Sequence, residues 1–176
     1  MTTTELGSFF LGGFECSSHK RADGRRLDLL RTTFHDSLAA QDYQQLQAFG
    51  ISAARDGLRW HLIEPIPGQY DWSSVLPMLD AARSTGMRII WDLRHYGWPD
   101  HLDIWSPDFI TSFARFSREA ARLVKDHTGR SGLYCPVNEM SYWAWAGGDM
   151  AQINPCATGR GGELKRQLVG AAVAAA

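Results

Sequence analysis

Four short apolar runs, each followed by a loop and then a helical pattern, constrain the architecture of this 176-residue chain more than any other feature. They occupy residues 9–14, 51–60, 87–93 and 133–138. The third is nearly continuous in apolar residues, as in a strand covered on both faces. The first holds Gly12 and Gly13, which permit close backbone approach. A helix is expected from about Asp36 to Phe49, where Leu38, Tyr43, Leu46 and Phe49 give a loose apolar face that Gly50 is placed to end. Val75, Leu76, Leu79 and Ala82 line a second helix from near Ser73 to Gly86. Ser106-Pro107 reads as a cap followed by proline at the first helical position. Phe109, Phe113, Phe116, Ala120 and Val124 then keep a three-to-four spacing, and a last helix starts near Glu163.

Strand–helix units repeated without a linker specify a parallel α/β fold. A doubly wound sheet would carry a glycine fingerprint, and Gly159, Gly161 and Gly162 fit neither GxGxxG nor GxxxxGK[ST]. The polar and aromatic residues gather instead in the loops after the strands, at 15–19, 60–64, 94–98 and 138–145. Functional groups at the C-terminal ends of parallel strands mark a (β/α)8 barrel. The expectation is the first four units of such a barrel, a half-barrel.

Bulk properties narrow the partners. The formal net charge is -1 and basic residues are scattered, so no nucleic-acid partner is expected; the cluster Lys20, Arg21, Arg25 and Arg26 reads as a solvated loop. With no membrane-length apolar run and no basic residue ahead of an apolar core at the N-terminus, no membrane partner is expected and the cytoplasm is the expected location. The three cysteines are odd in number and lack CxxC spacing, so neither a disulfide framework nor a metal or other cofactor is expected.

The candidate chemistry centres on Asn138-Glu139 at the end of the fourth run, with Tyr142, Trp143 and Trp145 beyond it. Among those rings Glu139 would be partly desolvated, which favours the protonated form that a general acid requires. The plainer alternative is a surface Glu or a helix cap. Arg55, a charge inside the second run, needs a carboxylate if it points inward. Asp56 or Asp92 could serve, as an ion pair without catalytic duty. His95 and Tyr96 follow the third run directly and could bind hydroxyl groups.

Four segments together resemble the N-terminal half of a family 1 glycoside hydrolase, or a close relative in the same clan of retaining β-glycosidases. Gly13-Phe14-Glu15-Cys16-Ser17-Ser18-His19 resembles the family's first-strand segment, and residues 55–60 resemble its RFSISW stretch with Arg55 and Trp60 matching the first and last letters. Leu93-Arg94-His95-Tyr96-Gly97-Trp98-Pro99 is similar to LHHWDLP, and Val137-Asn138-Glu139 to the FNE that ends strand four. The resemblance implies a retaining mechanism acting on a small-molecule glycoside or oligosaccharide. Glu139 would be the acid/base, Asn138 would hold the sugar 2-hydroxyl and Arg55 would orient the nucleophile. His95, Tyr96, His19, Lys20 and Trp143 are the expected sugar contacts. Lys20 stands where the family has a sugar-binding Gln, and Met140 where it has Pro.

The family's nucleophile is a Glu on strand seven, so the chain is expected to be the first half of the domain over residues 1–176, truncated inside its last helix. Three further expectations follow. The open edges of strands one and four would invite self-association. A non-catalytic carbohydrate-binding fragment is the alternative function. A metal-dependent hydrolase using His95, His101 and Asp92 is a third reading, and no HxH or HExxH spacing supports it.

Overall fold

A computed structural model describes residues 6–176. Its four strands, β1 (Gly12–Gly13), β2 (Ala53–Gly57), β3 (Arg88–Asp92) and β4 (Leu133–Cys135), form one parallel sheet in chain order. Seven α-helices and one π-helical segment surround it: α1 (Leu29–Thr32), α2 (His35–Ala48), α3 (Trp60–Ile63), α4 (Leu76–Thr85), α5 (Pro107–Thr128), α6 (Met140–Trp143), the π segment Ala144–Asp149 and α7 (Gly161–Ala175). The expected partial barrel is present. No helix among the described residues is long and apolar enough to cross a membrane.

The strands are shorter than the apolar runs. The first run is paired with β2 at Gly12 and Gly13, and Phe14 N–H donates to Arg55 O just beyond them. Phe9 and Phe10, ahead of the paired residues, are 93% and 71% exposed. At the other end of β2, Leu58 N–H still donates to Asp92 O, but Trp60 already opens α3. Helix α1 went unforeseen; Asp28 caps it by accepting from the N–H of Arg31.

Helix α5 behaves as its spacing dictates. Ser106 accepts from Asp108 N–H at its start, Gly129 ends it in the left-handed region, and Phe109, Phe113, Phe116, Ala120 and Val124 are buried. Trp60 stacks on Phe116 with centroids 5.1 Å apart, joining α3 to this stripe. Each buried ring contributes on the order of 1.5–3 kcal/mol of apolar transfer.

Helix α2 departs from its apolar pattern. It buries His35, Ala39 and Tyr43, while Leu38 and Phe49 face solvent. The cause lies in β2, where successive side chains alternate faces. Asp56 points at α2 and accepts from Tyr43 Oη at 2.6 Å, with His35 Nε2 2.8 Å from the same oxygen. Asp42 holds His35 Nδ1 at 2.5 Å, and Phe14 stacks on the imidazole. A polar pair thus replaces the apolar contact that periodicity anticipates. Arg55, one residue earlier, points to the opposite face.

Candidate active site

The inward face of the sheet carries a connected set of polar groups at the C-terminal ends of the strands. Arg55 Nε donates to Asp92 Oδ1 at 2.7 Å, so Asp92 rather than Asp56 is its partner. The register explains the choice: Gly57 pairs with Asp92, which places Arg55 and Asp92 on one face of adjacent strands. The hydrogen bond to Asp92 outweighs burial and raises the Arg55 pKa further above its ordinary value.

Arg55 also fixes the next two residues. Its Nη2 donates to Asn138 Oδ1 at 2.6 Å, so the amide nitrogen of Asn138 faces the other way, 2.7 Å from His95 Nε2. An NH2 can only donate, so Nε2 accepts and the imidazole carries its proton on Nδ1. That proton points at Cys16 Sγ, 3.1 Å away, and Asp92 Oδ2, 3.4 Å away. Backbone bonds continue the sheet into the loops: Ser18 N–H donates to His95 O, and Asn138 N–H donates to Arg94 O.

Glu139 follows with φ 43° and ψ 55°, a left-handed conformation for a residue with a side chain. The turn sends its carboxylate back over the third strand's loop, where Tyr96 Oη donates to Oε2 at 2.5 Å. Tyr96 is itself left-handed at φ 63°, so two residues with unfavourable backbone converge here. Burial, and then the Glu139 contact, raise the Tyr96 phenol far above its ordinary pKa and keep it a donor.

Together with Gly13, Phe14, Glu15, Ser17 and Tyr142, these groups line an open cleft of about 630 Å³. Arg55, Asn138, Glu139, His95 and Tyr96 all reach it. His19, Lys20 and Trp143 do not. His19 packs edge-on to Tyr96, and Lys20 Nζ lies 2.6 Å from Asp100. Trp143 is fully buried, donates its indole N–H to Asn154 O at 2.8 Å and lies under the Arg94 guanidinium, so it presents no face to the cleft. Tyr142, its neighbour on α6, takes that place. Glu139 is exposed rather than partly desolvated, because only Tyr142 of the expected aromatic group lines the cleft with it.

One further grouping has no spacing signal along the chain. Cys16, Asp92 and His95 meet at the cleft floor although Cys16 is 76 and 79 positions from the other two. Gly57 makes this possible, since a Cβ there would collide with Cys16 Sγ and come within 3.2 Å of Asp92 Cβ. His101 lies elsewhere, 4.0 Å from Glu64, so the metal trio of His95, His101 and Asp92 is not the one that forms.

No protein-family sequence model matches the chain, and no curated protein sequence does. Solved structures do match. A family 1 β-glucosidase from Thermotoga maritima aligns with TM-score 0.70 and 18% identity over 80% of this chain. The rice β-glucosidase Os3BGlu6 aligns with TM-score 0.76 and 16% identity over 98% of it, and the AHE enzyme from Alicyclobacillus herbarius with 0.64 and 20% over 80%. The chain spans 34% of the length of the Thermotoga protein and 44% of the rice one. In fold, therefore, the chain resembles part of a family 1 glycoside hydrolase, with its four strands matching part of that barrel.

Proposed function

We propose that the chain carries the acid/base side of a retaining β-glycosidase site and is the N-terminal half of that catalytic domain. The observation that carries this is the continuous bonding from Asp92 through Arg55 and Asn138 to His95, beside a Glu139 held by Tyr96. It presents a carboxyl group, an amide and an imidazole to one open cleft.

Each group then has a task. Glu139 protonates the glycosidic oxygen as the bond breaks, then takes a proton from the water that releases the sugar. General acid–base catalysis of this kind contributes about 10²–10⁴-fold. Asn138, held rigid by Arg55, bonds the sugar 2-hydroxyl, and His95 and Tyr96 contact further hydroxyls. Tyr142 offers the ring face, in place of Trp143. The nucleophile is a Glu on a later strand of the complete barrel, with its carboxyl roughly 5–5.5 Å from that of Glu139. Arg55 would favour its ionised form. A small glycoside is the ligand, the cytoplasm is the location, and open edges at β1 and β4 permit pairing with further strands or a second copy.

The test has two arms. A glucose-configured iminosugar should bind the purified chain, and Asn138→Ala should weaken it at least tenfold; no binding by folded chain would sink the proposal. Aryl β-glycosides should be hydrolysed by the protein with its nucleophile-bearing strands, and Glu139→Gln should impair that turnover. Binding with no turnover in that complete form would mean a carbohydrate-binding protein without hydrolysis.

A further inference from the structure

We propose that Cys16, Asp92 and His95 form a zinc-binding site on the floor of the cleft. Their donor atoms make a compact triangle: Cys16 Sγ to His95 Nδ1 is 3.1 Å, Cys16 Sγ to Asp92 Oδ2 is 3.6 Å, and His95 Nδ1 to Asp92 Oδ2 is 3.4 Å. An ion centred among three atoms so spaced sits about 2 Å from each, close to the Zn–N and Zn–O distances of about 2.0–2.2 Å; lifting slightly out of the plane reaches the Zn–S distance of about 2.3 Å. One sulfur, one imidazole nitrogen and one carboxylate oxygen suit zinc better than magnesium or calcium, which prefer oxygen alone.

The donors are held in place before any ion arrives. Cys16 and Asp92 are 2% and 1% exposed, and the second oxygen of Asp92 is fixed by Arg55. Asp92 and His95 line the cleft, so the fourth coordination position faces it. Three protein ligands with an open fourth position is the arrangement of reactive rather than structural zinc.

Loading requires two proton changes. Cys16 releases its thiol proton to solvent, and His95 moves its N–H from Nδ1 to Nε2. Glu15 Oε1, which accepts from Ser17 N–H and lies 3.6 Å from Nε2, is a nearby carboxylate that would accept that N–H after a small side-chain shift. Such a carboxylate behind a metal-bound imidazole is a common support. The switch detaches His95 from Asn138, whose NH2 can no longer donate to it. Zinc and sugar would therefore exclude one another; this consequence rests on the proposed glycosidase function, whereas the metal site does not.

The metal site itself is tested on the purified chain without sugar, and a competition with iminosugar follows. Titration with Zn²⁺ in a calorimeter should give one ion per chain with proton release, and Co²⁺ should produce a near-ultraviolet thiolate-to-cobalt band. Cys16→Ser should abolish the band and weaken zinc at least tenfold, while Cys135→Ser and Cys156→Ser should leave both unchanged. No stoichiometric ion in wild type, or a band lost only in Cys135→Ser or Cys156→Ser, overturns the site. A variant that fails to fold does not rescue it, because the wild-type band alone must appear. Zinc that binds but does not compete with iminosugar keeps the metal site and counts against the sugar-binding role of His95.

Discussion

Tyr96 Oη donates to Glu139 Oε2 across two loops whose residues lie 43 positions apart. The same hydroxyl also receives the Asn138 amide at 3.3 Å, so one phenol orients both members of the Asn-Glu pair. Tyr96→Phe removes that oxygen but keeps the ring against His95 and Trp143. A hydrogen bond to a charged group is worth about 1.5–3 kcal/mol. On the proposed function, turnover of unactivated glycosides by the complete barrel should fall at least tenfold, with the thermal unfolding midpoint nearly unchanged. A large loss of stability with unaltered kinetics would contradict the positioning role.

In the complete barrel, on the proposed function, Glu139→Gln should separate substrates by leaving group. Aglycones that depart poorly need the proton and should lose about 10²–10⁴-fold in kcat/KM, whereas activated aryl glycosides should lose far less in the first chemical step. Steady-state comparison of the two classes decides it, and equal losses would count against Glu139 as the acid.

Removing Arg55 strands Asp92. That carboxylate is 1% exposed and would be left beside the Cys16 thiol with no guanidinium partner. Breaking a buried ion pair costs about 3–5 kcal/mol. The Arg55 side chain is 41% exposed, so Arg55→Met should cost less, about 2–3 kcal/mol, and Arg55→Met with Asp92→Asn should recover part of it. Urea unfolding of the single and double variants measures both.

Stability should also vary with pH through His35. Burial pulls its pKa down, but hydrogen bonds and charge from Asp56 and Asp42 more than offset this, leaving it raised above 6.5. The folded state then binds the proton more tightly than the unfolded chain does. The stabilisation is complete below pH 6.5 and disappears as pH rises through the higher folded value. Wild type should lose thermal stability across that window, and His35→Gln should flatten the slope. Identical slopes would exclude the ion pair with Asp56.

Arg94 carries the opposite expectation. Its guanidinium is fully buried, none of its three nitrogens has a hydrogen-bond partner among the described residues, and it lies 4.7 Å from the rings of Phe109, Phe113 and Trp143. Burial lowers its pKa to about 9. Three cation–π contacts of about 0.5–2 kcal/mol each compete with a desolvation cost of several kcal/mol for an unpaired ion. Arg94→Met should therefore be neutral or stabilising by about 1–2 kcal/mol at neutral pH. A marked loss in denaturant midpoint would show that the aromatic cage outweighs desolvation.

The legible parts of the sequence were those fixed by local chemistry. Ser106-Pro107 and the phenylalanine stripe of α5 announce that helix, and Asn138-Glu139 announces the loop beyond β4, although the strand itself stops at Cys135. What escaped depended on contacts distant in the chain. Whether His35 or Leu38 faces the sheet depends on Asp56, a residue of another element. Trp143 and Tyr142 are equally plausible as a sugar platform until the turn at Glu139 fixes which one points inward. Cys16 looks like a small apolar filler until Gly57 lets it settle between Asp92 and His95.

The alternation of Arg55 and Asp56 has a further consequence for how the sheet assembles. A slip of β2 by one residue would carry the guanidinium toward Phe14 and Tyr43 and leave the carboxylate in the cleft without its partner. A short strand of alanine and glycine offers little shape to distinguish one alignment from the next. Two adjacent opposite charges, each with a destination on a different side, make the wrong alignment electrostatically self-defeating.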